Sequence, residues 1–174
     1  DSNGFAVRKI DAASTIVTTV LGTGVSGAFS VSGSSGTAIQ VGYVYGIFGD
    51  TVGNLYAADN NNNFLLEVAL TTQTTSKLAT SAIFTSPRGI VGDTAGNLYL
   101  AETGGNRISQ ISVITGSVVV VAGSAAGTGS TTSTLPNGDG GAATGATLYH
   151  PYYVYFDGST RLLVADSGNN KIRI

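Results

Sequence analysis

The side chain with the widest chemical repertoire in this chain is its single histidine, His150. It stands in an aromatic run, "YHPYYVYF", from Tyr149 to Phe156. An imidazole titrates near neutrality and can serve as a general base or a metal ligand. One histidine in a chain without cysteine cannot build a multi-histidine or thiolate zinc site. No G-x-S-x-G elbow accompanies it, so a Ser-His-Asp nucleophile is unsupported. The residue reads either as a ligand contact or as a loop side chain stacked on its neighbours. The oxygen-rich stretches "DNNNN" (59–63) and "NGDGG" (137–141) lack the spaced acidic loop ending in Glu that holds calcium. They read as turns in which Asp and Asn bond their own backbone. No catalytic residue, metal ligand or cofactor is predicted.

Three acidic residues, Asp59, Glu102 and Asp166, recur in register along the chain. Recurrence at one place in every unit points to a structural duty, the capping of a turn. A different set of equivalent positions varies: Tyr45, Arg88 and Tyr152. Variation at equivalent sites is where a binding surface is written, and Tyr and Arg are favoured interface anchors. Tyr45, Arg88, His150 and Tyr152 are therefore the candidate binding residues, for a protein or glycan ligand.

These positions are set by a repeat. "GDTVGNLYAAD" (49–59) returns as "GDTAGNLYLAE" (92–102), 43 residues later. The unit "PRGIVGDTAGNLYLAETGGNRISQI" from Pro87 is matched by Val44–Val68 and again by Pro151–Ile174, 64 residues on. The extra length falls between Val121 and Pro151, in a Gly- and Ser-rich stretch that behaves as a loop. "DSNGFAVRKI" at the start aligns with "DSGNNKIRI" at 166–174. Each unit reads as four short strands, here called a to d: 89–93, 98–102, 107–111 and 117–123 in the clearest copy. Gly and Asn between them supply positive φ without strain. Alternation puts Leu98 and Leu100 on one face, and no segment has helical period. Four-stranded units repeated at this spacing predict an all-β propeller built of antiparallel blades.

The pattern P-x-G-I, D, G-N-L-Y-x-A-[DE], N-[RK]-I, present in three copies, resembles the NHL repeat. "VAG" followed by "GDGGAATGATLYHP" is similar to the long inter-strand loop of bacterial NHL proteins. Residues 21–43 keep the length of that loop and lose its "GDGG". The resemblance implies a β-propeller, usually of six blades, and leaves function open, since one fold hosts many. It divides the chain into strands c and d with a loop (1–43), a blade (44–86), a blade with a long loop (87–147) and strands a to c of an incomplete blade (148–174). NHL-like peptidyl-hydroxyglycine lyases hold zinc with several histidines, which this chain lacks.

Composition narrows the partners. Only 10% of residues are charged, the net charge is −2 and Lys plus Arg number eight. A grip on nucleic acid needs a basic face, so an RNA-binding domain like those of TRIM proteins is disfavoured. No apolar run approaches the roughly 18 residues of a membrane span. Abundant Ser and Thr with low charge lean toward an extracellular protein. "TTQTTSKLATS" (71–81) and "GTGSTTSTL" (127–135) are candidate O-glycan carriers or polar edges, and there is no N-x-[ST] sequon. A chain without Met that begins at Asp1 is expected to be a processed product or an excerpt of something longer.

About three blades are too few for a ring, since propellers close with about four to eight. The expectation is a non-enzymatic interaction or structural module that self-associates, with Asp1–Gly22 of one copy, or of another segment, beside Pro151–Ile174 of another. A fragment of a six-bladed hydrolase of lactonase type and a ligand-binding NHL domain of a larger protein are the alternatives. The predicted core is Ile47, Leu55, Ile90, Leu98, Ile108, Ile111, Val154, Leu162 and Ile172.

Overall fold

The computed structural model describes residues 1, 3–29, 33–124, 138–158 and 160–174. Thirteen strands among them form four antiparallel sheets. Sheet I pairs β1 (Val7–Ile10) with β2 (Val17–Leu21). Sheet II runs in order through β3 (Val44–Gly49), β4 (Asn54–Asp59), β5 (Phe64–Ala69) and β6 (Thr74–Leu78). Sheet III repeats this with β7 (Pro87–Gly92), β8 (Asn97–Glu102), β9 (Arg107–Ser112) and β10 (Val118–Gly123). Sheet IV holds β11 (Pro151–Phe156), β12 (Leu162–Asp166) and β13 (Lys171–Arg173). The strands predicted at 89–93, 98–102, 107–111 and 117–123 are β7 to β10, with ends shifted by one or two residues. Helical geometry among the described residues is confined to three-residue 3-10 turns.

The sheets stack side by side, so the middle ones are buried on both faces. In β4, Tyr56 and Ala58 join the core toward sheet III, while Ala57 between them joins the core toward sheet I. In sheet III, Leu98, Leu100 and Ile111 face sheet II, and Ala101 and Ile108 face sheet IV with Leu148, Val154 and Val164. Successive strand side chains point to opposite faces, which is why the central strands β4 and β8 carry buried apolar residues at consecutive positions, Tyr56–Ala58 and Leu100–Ala101. Full burial of such a Leu or Ile stabilises by about 1.5–3 kcal/mol.

The first strands of neighbouring sheets approach most closely. A side chain at Gly46 would collide with the Arg88 carbonyl, and one at Gly89 would meet the Tyr153 Cα at 2.6 Å and the Tyr152 oxygen at 2.8 Å. Glycine at this point of the repeat lets β3, β7 and β11 lie against one another.

Five members of the predicted core, Ile90, Leu98, Ile108, Ile111 and Val154, are buried, and Leu55 and Leu162 are half-buried against it. Two are not core at all. Ile47 is 51% exposed although its counterpart Ile90 is 1%, and Ile172 is 70% exposed although its counterpart Ile108 is 0%. The reason is position in the stack. Ile90 is covered by sheet II and Ile108 by sheet IV. Among the described residues, sheet I has no counterpart of β3 or β4 to cover Ile47, and no sheet follows sheet IV to cover Ile172. The stretch 71–81 contains β6, an edge strand. The stretch 127–135 lies outside the described residues.

Candidate functional site

The innermost strands bring three of the four predicted binding residues together. The guanidinium carbon of Arg88 lies 4.5 Å from the ring centroid of Tyr45 and 4.4 Å from that of Tyr152. Each is the second residue of its strand, β3, β7 or β11. The in-register sheets therefore place them side by side, Arg88 between two tyrosines that are each about half exposed. Each ring face attracts the cation by about 0.5–1 kcal/mol at such exposure. The Nε of Arg88 is buried and has no hydrogen-bond partner.

His150 does not belong to this stack. It is exposed, sits at φ 46°, and its ring stacks on Tyr149 with centroids 4.3 Å apart. Its backbone N–H donates to Oδ1 of Asn106 at 2.8 Å. That is a place in a repeated junction. The equivalent Ser86, at φ 49°, donates its N–H to Oδ1 of Asn63, also at 2.8 Å. A second clamp accompanies each: Asn60 Nδ2 donates to the Pro87 carbonyl, and Thr103 Oγ1 to the Pro151 carbonyl. Asn63, Asn106 and Asn170 all take positive φ, 57°, 51° and 55°, which Asn tolerates best among side-chain-bearing residues. Sequence reasoning passed over this asparagine series, though its register in the repeat was the available signal. At the junction of sheets I and II the same place is held by Phe5, at φ 45°, whose ring lies tilted against that of Tyr43 with centroids 5.3 Å apart.

The recurring carboxylates are fully buried. Asp59 accepts the Gly42 N–H, Glu102 the Thr85 N–H and Asp166 the Tyr149 N–H, each two residues before the first strand of its own sheet. Each also binds the turn that follows it or the strand beyond. Asn62 donates to Asp59, Arg107 and Ser109 to Glu102, and Asn169 and Arg173 to Asp166. They tie three parts of one sheet together, more than the turn cap expected of them. A further pair, Asp50 and Asp93, holds the turns after β3 and β7. Asp50 accepts from the Val52 and Asn54 N–H groups, the Asn54 amide and the Tyr56 hydroxyl. Asp93 accepts from the Ala95 and Asn97 N–H groups, the Asn97 amide and the Tyr99 hydroxyl. Burial would raise both carboxyls, but these donors, Asn54 and Asn97 first, hold them below the usual range. Burial, then the Glu67 charge and the bond to Asp50, push the Tyr56 hydroxyl up to about 12.

A groove of about 630 Å³ runs between β10 and the edge of β13, lined by Val121, Leu148, Leu162 and Ile172. Asp139, from the "NGDGG" stretch, pairs there with Lys171 and Arg173.

No protein-family model and no curated protein matches this chain. Solved structures do. A protein of unknown function from Bacteroides thetaiotaomicron matches with TM-score 0.68 and 22% identity, over 99% of this chain and 42% of that one. Virginiamycin B lyase from Staphylococcus aureus matches with TM-score 0.62 and 16% identity, over 98% and 45%. An auxiliary nutrient binding protein from Bacteroides thetaiotaomicron matches with TM-score 0.63 and 15% identity, over 98% and 42%. At these identities the likeness shows the fold alone: the chain is an all-β, propeller-type arrangement of antiparallel sheets. It spans less than half the length of each of these structures.

Proposed function

We propose that this chain is a non-enzymatic propeller segment of NHL type, about three blades in extent, that works outside the cell as an interaction or structural module and associates head to tail with a second copy. The observation that carries this reading is a pair of apolar faces, one at each end of the stack. On sheet IV the exposed Tyr153 and Tyr155 pair across β12 with Ala165 and Leu163, and Ile172 pairs with Ala165 on the other side. On sheet I the exposed pair Ile10–Val17 repeats Ile111–Val118, which packs onto sheet II. Ile16 and Ile47 lie open at that end too.

Exposed apolar faces of this kind mark interaction surfaces. Different faces at the two ends fit a heterologous contact, which closes into a ring or runs on as a filament. The occupant favoured for the sheet IV face is β1–β2 of a second copy. The groove beside β13 borders the strand edge that a further strand would pair with, and strand addition supplies both backbone bonds and apolar burial. Two copies would also supply most of the length of one matching structure, since one supplies 42–45%. Support for a non-enzymatic role is that the three recurring carboxylates, Asp59, Glu102 and Asp166, are taken up by backbone N–H groups.

Light scattering on the whole chain and on a variant lacking residues 1–22 tests the proposal. The whole chain is expected at twice 17.5 kDa or more, and the deletion at its monomer mass. A whole chain that stays a compact, stable monomer overturns it.

A further inference from the structure

We infer that Arg88 is an anion-binding residue, with the rings of Tyr45 and Tyr152 holding its guanidinium as a fixed fork for a carboxylate group on a ligand at the inner rim of the sheets. Charge pairing sets this arginine apart. Arg8 lies beside Asp1, Arg107 beside Glu102, Arg161 beside Asp157, and Arg173 beside Asp139 and Asp166. Arg88 has no carboxylate within ion-pair distance among the described residues, and its buried Nε has no hydrogen-bond partner. A chain with ten acidic residues against eight basic ones has paired its other described arginines and left this one open.

The geometry gives the ligand class. A guanidinium carries its five N–H donors in its own plane. Tyrosine rings from the strands on either side of β7 have their centroids 4.5 and 4.4 Å from the central carbon of the Arg88 guanidinium, and its Nε is buried, which leaves the two Nη groups as the edge a ligand meets. An edge of two parallel N–H groups matches the two oxygens of a carboxylate, and charge-assisted pairs of this kind are the stronger hydrogen bonds. Stacking between two rings also removes the rotamer freedom that a long side chain would otherwise lose on binding. Lysine, a point charge on a flexible stem, would offer neither the fork nor the stack. Three strands supply the three residues, β3, β7 and β11, so the fork is assembled by sheet packing and not by a loop. The inference does not depend on association of copies, because all three residues belong to one chain.

The test is a titration of the whole chain with acetate and with galacturonate, followed by the Arg88 Nε–H resonance in 15N-edited NMR spectra, with galactose and inorganic phosphate as further arms. Both carboxylates are expected to shift that resonance saturably, and galactose to leave it unmoved. Variants are compared through the backbone amide resonances of residues 45, 88 and 152, which every variant keeps: Arg88→Lys should weaken binding at least tenfold, and the Tyr45→Leu, Tyr152→Leu double variant several-fold. A spectrum with the remaining amide resonances in place confirms in each case that the fold is intact. Acetate and galacturonate alike point to the carboxylate alone, whereas galacturonate binding much more tightly points to an acidic glycan; both outcomes support the site. A resonance unmoved by either carboxylate overturns the inference. So does Arg88→Lys binding as well as the native chain, which would mean that net charge and not the fork is read. Phosphate shifting the resonance at lower concentration than both carboxylates overturns the assignment of ligand class.

Discussion

Oδ1 of Asn106 accepts the backbone N–H of His150 at 2.8 Å, and that bond crosses from sheet III to sheet IV. Asn63 and Ser86 make the same bond between sheets II and III. A short polar side chain in a left-handed turn thus fastens each of these sheets to the residue that leads into the next one. Asn170 has the same backbone shape at the end of sheet IV, is exposed, and has no described sheet beyond it.

Replacing each asparagine with glycine keeps the positive φ and removes the side chain, with an unfolded-state entropy cost that the two sites share. Asn106→Gly should cost about 1–3 kcal/mol, because it strands the His150 N–H. Asn170→Gly should cost about 1 kcal/mol less than that. Denaturant unfolding of the two variants measures the difference, and equal losses would show that the junction bond contributes nothing.

Glu102 ties together the Thr85 N–H, Arg107 and Ser109 from a fully buried position. Truncation to Ala leaves those donors without their acceptor. The expected loss is about 3–5 kcal/mol, as for removal of one partner from a buried ion pair. A loss of less than about 1 kcal/mol in a thermal or chemical melt would contradict the role.

Asp50 and Asp93 are held below the ordinary carboxyl range in the folded chain. Unfolding then takes up protons, so stability is fully present above the unfolded value near 3.8 and is lost as pH falls through the folded values. The double variant Asp50→Asn, Asp93→Asn should be less stable at neutral pH and show a flatter decline below about pH 4. Unfolding free energies measured from pH 7 to pH 2 check both parts.

Position in the stack, and not residue type, decides the weight of the apolar residues. Leu98→Ala should cost about 2–5 kcal/mol, since Leu98 is buried between sheets II and III. Ile47→Ala should cost less than about 0.5 kcal/mol at concentrations where the chain is monomeric. Under the association proposal it should also raise the concentration needed for assembly, read by light scattering.

Gly89→Ala would set a methyl group against the Tyr152 carbonyl and the Tyr153 Cα. Backbone cannot yield as a flexible side chain does, so β7 and β11 must separate. The Tyr152–Arg88 contact should loosen with them. The expected readouts are a stability loss of about 1–3 kcal/mol and a changed Arg88 Nε–H environment.

By itself, the sequence determined the strands, their order and their turns. These depend on alternation, on Gly and Asn at fixed offsets, and on a unit that returns in register, all of which are local. The same register put Tyr45, Arg88 and Tyr152 at one place in the repeat, and so made them candidates before any contact was visible. Tertiary structure decided which sheet has a neighbour. Ile47 and Ile90 are the same letter at the same place, and one is open while the other is buried, because coverage depends on a strand from another unit. It also kept His150 out of the Arg88 stack: at positive φ, with its N–H held by Asn106 at a sheet junction, its ring stacks on Tyr149 instead. And it joined Arg88 to two rings, one 43 residues before it and one 64 after, since close approach of three first strands is a property of packed sheets and not of any one of them.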